Sequence, residues 1–203
     1  LVFFAIVASI LAIAVLGLNL QWGNTGLFNG GVVAFFGAGA YGTLILGGGP
    51  QDGQLGGFGL FYPLALLGGM ATAGLLAWGV GILTLRLRHD YLAISTFGIA
   101  VAFENLMRNA QWLGGGAQGL RGFDRPLRAA LGDGFLYNIL FLLCVLVLLI
   151  LTYRFLETLV ASPFGRQLRA IREDETAARS LGKTPARIRL TAFVTGSVIM
   201  GLA

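Results

Sequence analysis

The sequence has little charge and few of the residues that carry enzyme or metal chemistry. Charged residues make up 11% of its 203 residues, whereas soluble globular domains carry about 25%. Its one cysteine, Cys144, and its one histidine, His89, exclude a disulfide framework, a Cys–His nucleophile pair and a metal cluster. No Ser-His-Asp set with a recognisable elbow is present either. The sequence therefore predicts a protein that is not an enzyme and has no cofactor or metal site of its own.

What the sequence does have is long uncharged apolar stretches. Hydrophobic residues make up 56% of the chain, and the mean hydropathy is +0.80. A helix needs roughly 20 apolar residues to cross a bilayer. Stretches that approach or exceed this length are 1–20, 31–50, 55–85 and 135–153. The segments 91–109 and 190–203 are further candidates.

These segments predict an all-α, polytopic transmembrane helix bundle with about six spans, in contact with the lipid bilayer. We assign residues 1–203 to a single transmembrane domain. Because the chain lacks an initial Met and its last apolar segment is shorter than a crossing, we expect the natural protein to be longer.

The basic residues indicate how the chain is oriented in the membrane. The net charge is +5, and eight of the fourteen basic residues lie between Arg154 and Arg189. Basic residues beside spans mark cytoplasmic loops, so we interpret this segment as cytoplasmic and not as a nucleic-acid site. Counting spans backwards places 86–90 and 21–30 on the same side, and 114–134 on the outside.

Small residues predict close helix packing. Gly69, Ala73, Ala77 and Gly81 recur every four residues and form a stripe along one helix face. Such stripes allow helix backbones to approach closely within a membrane. The run 139–151, in contrast, is almost entirely large and aliphatic, which is typical of a lipid-facing helix.

Two segments partly match nucleotide-binding motifs, but each lacks a residue that its motif needs. The glycines of 37–42 match GxGxxG but lie inside an apolar segment without the acidic residue that this fingerprint needs. The segment 177–184 approaches the P-loop pattern, but Ala177 replaces its first glycine and Pro185 follows it directly. We therefore expect any ATP to be bound by another subunit.

Polar residues near the apolar segments are candidates for a translocation path. Glu104 and Arg108 are one helical turn apart and can pair. Ionisable groups at membrane depth usually face a pathway or one another, although a solvated pair at the outer interface is the alternative. Glycines around Asn24 and Asn29 indicate a helix break that could face a polar cavity. The full candidate set is Asn24, Asn29, Glu104, Asn105, Arg108 and Asn109.

An amphipathic segment follows the most apolar span. Ser162-Pro163 is a strong helix start, and Gly182 is a typical C-terminal stop, so we predict one helix between them. Thr184-Pro185 starts the next helix. The predicted apolar face comprises Phe164, Leu168, Ile171, Ala178 and Leu181. The acidic trio 173–175 disfavours a helix lying on anionic headgroups, so docking to a partner protein is the preferred interpretation.

This segment, 162–182, resembles the coupling segment of the LivM-like permease subunits of branched-chain amino acid ABC importers, to which urea importer permeases are closely related. The resemblance covers nearly the whole chain. Other similar stretches are Leu18-Asn19-Leu20, Gly23-Asn24-Thr25-Gly26, 34–41 and 86–96. Ala177, Ala178 and Gly182 have the spacing of the general ABC-permease loop, while Thr176 stands where that loop has Glu.

The resemblance implies a permease subunit in the bacterial inner (cytoplasmic) membrane. Its implied partners are a homologous second permease, cytoplasmic ATPase subunits that hold ATP and Mg, and a periplasmic substrate-binding protein. The implied coupling segment is 157–189. Its candidate ATPase-coupling residues are Arg172, Glu173, Asp174, Glu175, Ala177, Ala178, Arg179 and Gly182. Candidates for docking the binding protein, or else members of an ordinary solvated loop, are Arg121, Asp124, Arg125 and Arg128.

The resemblance leaves alternatives open. The function it implies is ATP-driven import of branched-chain amino acids, urea or short amides by alternating access. The alternative is a secondary transporter or channel that works alone, with its amphipathic helices on the membrane surface. The sequence does not select the substrate, or decide between homodimeric and heterodimeric permease pairing.

Overall fold

The computed structural model describes residues 1–49, 56–85, 89–116, 119 and 134–203, and within these ranges the regular structure is helical. The side chains of His89, Asp90 and Gly114 are outside the description, as is the basic turn 86–88. The helices are α1 (Val2–Thr25), α2 (Val32–Gly47), α3 (Tyr62–Thr84), α4 (His89–Asn109), α5 (Gln111–Gly114), α6 (Phe135–Ala161), α7 (Pro163–Glu173), α8 (Glu175–Ser180) and α9 (Pro185–Leu202).

Three of the described helices are long and apolar enough to cross a membrane, namely α1, α3 and α6. The shorter apolar helix α2 packs against α3, and α4 packs against α2. Together with α9, these helices occupy the six segments that the sequence marked as spans. The prediction of a polytopic helical bundle is confirmed.

Helix α9 lies at the centre of the bundle. It packs against α1, α2 and α3, and it also contacts α7 and α8. Its fully buried Phe193 meets Phe35 of α2 edge to face, with 5.5 Å between the ring centroids. Helix α9 therefore contacts both the spans and the short helices that follow α6.

The predicted small-residue stripe lies in the core. All four of its members on α3 are buried. A Cβ placed on Gly69 would lie 2.5 Å from the carbonyl oxygen of Gly39 in α2. A Cβ on Gly81 would meet side chains of α9 instead. The stripe therefore lets α3 pack closely against both α2 and α9. Such close packing holds helices together in a membrane, where the hydrophobic effect does not drive their association.

Helix α6 is the least buried of the three helices that are long and apolar enough to cross a membrane. It packs on α1, and only 17% of its most apolar window is buried. Leu143, Val147 and Ile150 are each more than half exposed. This arrangement agrees with a helix that faces lipid.

The connection between α1 and α2 differs from its prediction in one respect. The predicted break is present, since Gly26 has φ +71° and ends α1 with its N–H bonded to the carbonyl of Trp22. However, α1 continues through Thr25, so Gln21 belongs to the helix and not to the following loop. The end of α1 contacts α7, which places this connection on the same side as the predicted coupling segment, as span counting predicted.

Candidate functional sites

The predicted coupling segment begins with the helix start that the sequence indicates. Ser162 caps α7 by accepting a hydrogen bond from the backbone N–H of Phe164 at 3.2 Å, and Pro163 is the first helical residue. Leu168 and Ile171 are 1% and 3% exposed, and they pack α7 against the bundle. An apolar face of α7 thus lies against α1, α6 and α9, while its charged face is turned outward.

The predicted single helix from Ser162 to Gly182 is wrong, because it is interrupted at Asp174. Asp174 is extended (φ −149°, ψ 105°), and its Oδ1 accepts hydrogen bonds from the N–H groups of Thr176 at 2.8 Å and Ala177 at 3.0 Å. Asp is a strong N-cap residue, so it starts α8 here and does not continue α7. As a result Leu181, which was expected on the apolar face, is 79% exposed, whereas Ala178 remains buried.

An ion pair of Glu175 holds α8 against the bundle. Its carboxylate pairs with Arg179 of the same helix at 2.5 Å and with Arg189 of α9 at 2.7 Å. The side chain of Arg189 is only 12% exposed, and that of Glu175 is 29% exposed. Arg189 was not among the candidates, because sequence spacing does not show that α8 folds back onto α9.

Most of the remaining coupling candidates are exposed, and one of them, Arg172, also bonds to α1. Arg172 donates from Nη1 to the carbonyl oxygen of Gly23 in the last turn of α1. A cation at the carbonyl end of a helix is favourable, because that end carries partial negative charge. The exposed candidates, which form the outward surface, are Arg172, Glu173, Asp174, Ala177, Arg179 and Gly182.

Glu104 and Arg108 form an ion pair on α4. Their Oε1 and Nη2 atoms are 2.7 Å apart, and both side chains are more than half exposed in the isolated chain. Their neighbours Asn105 and Asn109 are also exposed, and each donates to a backbone carbonyl one turn earlier.

The ion pair lies beside a cavity between α2 and α4. The cavity has a volume of about 290 Å³. Its walls include Tyr41 of α2 and Phe103 of α4, whose ring centroids are 6.4 Å apart. Glu104 and Arg108 both line it. The structure therefore brings one charge of each sign to an otherwise largely apolar space.

The two asparagines near the helix break lie elsewhere. Asn24 is half-buried and lines a separate cavity of about 210 Å³ between α1 and α6, together with Asn19 and Glu157. Asn29 is 2% exposed. Its Nδ2 donates to Gln21 at 2.8 Å, and its Oδ1 accepts from the N–H of Gly31 at 2.8 Å.

A buried polar cluster around Gln21 was missed by the sequence analysis. Gln21 has no exposed surface, and its Nε2 donates to the carbonyl of Phe193 at 2.7 Å and to the Oγ of Ser197 at 3.0 Å. Its Oε1 accepts from Asn29. The only available signal was a lone amide at the end of an apolar run, which the predicted end of α1 at Leu20 placed in a loop.

The four docking candidates Arg121, Asp124, Arg125 and Arg128 lie outside the described residues. Their assignment stays a prediction.

A family model matches the whole chain, and known proteins match most of it. A family model described as the branched-chain amino acid transport system permease component matches residues 1–203. The High-affinity branched-chain amino acid transport system permease protein LivM of Escherichia coli is 35% identical over 93% of this chain and 47% of its own length. The protein of that name from Salmonella typhimurium is also 35% identical over 93% of this chain and 47% of its own length.

A Probable branched-chain amino acid transport permease protein LivM of Methanocaldococcus jannaschii is 32% identical over 58% of this chain and 33% of its own length. The chain spans about half the length of the two bacterial relatives. No solved structure matches it. By the family match over its full length, the chain belongs to the permease components of branched-chain amino acid transport systems.

Proposed function

We propose that this chain is the membrane permease subunit of an ABC importer, and that a separate ATPase subunit drives it by hydrolysing ATP. The observation that carries the proposal is the coupling segment. Helices α7 and α8 bury an apolar face against the bundle and leave a polar surface outside. This surface mixes acidic and basic residues, which suits a protein partner better than anionic lipid.

The proposed partners follow from this role. The ATPase subunits hold ATP and Mg and dock on the exposed residues of α7 and α8. A homologous permease completes the membrane-embedded pair, and a periplasmic binding protein delivers the substrate. The docking candidates for the binding protein are those in the outer loop 114–134. The complex is placed in the bacterial inner membrane.

The substrate is proposed from the relatives and from the cavity between α2 and α4. The bacterial relatives are named for branched-chain amino acids, and urea or short amides are the other candidates. An amino acid zwitterion carries one charge of each sign, and burying either without a partner is costly. Glu104 and Arg108 supply the opposite charges beside apolar walls that suit a branched side chain. Asn105 and Asn109 are adjacent to this pair on α4 and belong to the same proposed path. Asn24 and Asn29 lie away from this cavity, so their place in the path stays a prediction.

Co-purification tests the ATPase partner. The full-length protein is purified from native membranes, and bound subunits are identified by mass spectrometry. The test variant exchanges two exposed charges of α7, Arg166→Glu with Glu173→Arg, so the net charge stays the same. The matched control exchanges the exposed pair of α4, Glu104→Arg with Arg108→Glu, which lies outside the coupling segment. We expect an ATPase subunit with the wild type and the control, and its loss from the α7 variant.

Reconstitution then separates the proposal from its alternative. The purified complex is placed in liposomes, and uptake of labelled leucine is followed with and without ATP on the side of the ATPase subunits. Uptake that requires ATP supports the importer. Uptake by a protein that purifies alone and needs only an ion gradient would make the chain a secondary transporter.

A further inference from the structure

The coupling segment is attached to the bundle at two points, on two different helices. Arg172 of α7 bonds to the carbonyl of Gly23 at the end of α1. Glu175 of α8 pairs with Arg189 near the start of α9. A displacement of the segment therefore acts on α1 and α9 together.

Helices α1 and α9 are joined to each other close to both attachments. Their backbones touch, since a Cβ placed on Gly196 would lie 2.6 Å from the carbonyl oxygen of Gly17. One turn further along α1, the Gln21 amide bonds to the carbonyl of Phe193 and to the hydroxyl of Ser197 in α9. Packing and hydrogen bonding thus act at adjacent levels of the same helix pair.

The same amide continues to the connection that begins α2. Gln21 Oε1 accepts from Asn29, and Asn29 in turn accepts from the N–H of Gly31, which precedes α2. The residue between Asn29 and Gly31 also bonds to α4, since the N–H of Gly30 donates to Thr96 Oγ1 at 2.9 Å. The chain of bonds therefore runs from the two attached helices to both helices that line the cavity with Glu104 and Arg108.

We propose that Gln21 is a positioning residue for transport, because its amide makes α1 and α9 move as one body with the coupling segment and passes that movement through Asn29 to α2. Gln21 does not contact substrate in this role. A buried amide without its partners is costly, so the three bonds hold the arrangement in the buried interior of the bundle. This inference rests on the proposed ATP-driven function.

The test measures ATP hydrolysed per leucine transported, using the full-length transporter complex in liposomes. Gln21→Met keeps the length of the side chain and removes its amide. The matched control is Ser9→Ala, which removes a buried hydroxyl of α1 that bonds only to the carbonyl of Ala5 in its own helix. A structural role alone would lower the amount of complex without changing this ratio.

We expect Gln21→Met to raise the ratio by about fivefold or more, the range expected from losing buried hydrogen bonds, while Ser9→Ala leaves it at the wild-type value. An unchanged ratio for Gln21→Met overturns the inference. If that variant fails to insert, Ser197→Ala decides the matter, because it removes a single hydroxyl from the cluster. A raised ratio for Ser197→Ala supports the inference, and an unchanged one overturns it.

The proposed function is tested separately, by whether leucine uptake by the wild type requires ATP. If wild-type uptake does not require ATP, the importer proposal is wrong and this inference falls with it.

Discussion

Arg189 of α9 and Glu175 of α8 form an ion pair, with 2.7 Å between Nη1 and Oε2. The pair spans the short connection that includes Leu181 and Gly182, and it folds α8 back against the helix that follows it. Since Arg189 is largely buried and Glu175 is partly so, water screens this pair less than the exposed pairs of the chain.

Glu175→Gln is expected to loosen α8 from α9. Removing the charge weakens both bonds to arginine, and a partly screened pair contributes about 1 kcal/mol, or about fivefold in amide exchange. Hydrogen–deuterium exchange of the peptide covering 175–180 measures the effect. Glu173→Gln, at the exposed neighbouring carboxylate, is the control. Equal exchange in the two variants would show that the pair with Arg189 does not hold α8.

Asp174→Ala is expected to fray α8. The change removes the oxygen that accepts from the N–H groups of Thr176 and Ala177, and loss of such a cap costs about 1 kcal/mol. Amide exchange at these two positions should rise, while Asp174→Asn, which keeps a capping oxygen, should stay near the wild type. If the alanine and asparagine variants exchange alike, α8 does not depend on its cap.

Gly196→Ala is expected to destabilise the bundle. The added methyl group would overlap the Gly17 carbonyl of α1, and overpacking of this kind costs about 1–3 kcal/mol. The fraction of protein that stays monodisperse in detergent on heating measures it. Gly79→Ala on α3 is the control, because a Cβ there meets no atom within 4 Å. A stable Gly196→Ala variant would mean that α1 and α9 are further apart.

Arg108→Gln is expected to lower leucine uptake several-fold without changing the amount of complex. It removes the cation beside the cavity between α2 and α4 and leaves Glu104 without its partner at 2.7 Å. Arg154→Gln is the control, since Arg154 also pairs with a carboxylate on its own exposed helix but does not line this cavity. If both variants transport alike, the Glu104–Arg108 pair is a surface feature.

Local patterns were sufficient for the class of fold and for several helix ends. Uncharged apolar runs of about 20 residues predict membrane helices by their length and composition alone, because a helix of that length crosses the hydrocarbon core of a bilayer. The helix start at Ser162-Pro163 and the helix end at Gly26 depend on the local backbone conformation and on the nearest N–H groups. Such signals are complete within a few residues, so the sequence alone determines them.

The partners of individual side chains were decided only by the tertiary structure. Periodicity correctly placed Leu168 and Ile171 on a buried face, but it also placed Leu181 there, because it did not detect the competing cap at Asp174. An amide at the end of an apolar run indicates that Gln21 needs hydrogen bonds without showing where they lie. Its partner Phe193 is 172 positions away, and only the close approach of α1 and α9 at Gly17 and Gly196 brings the two together.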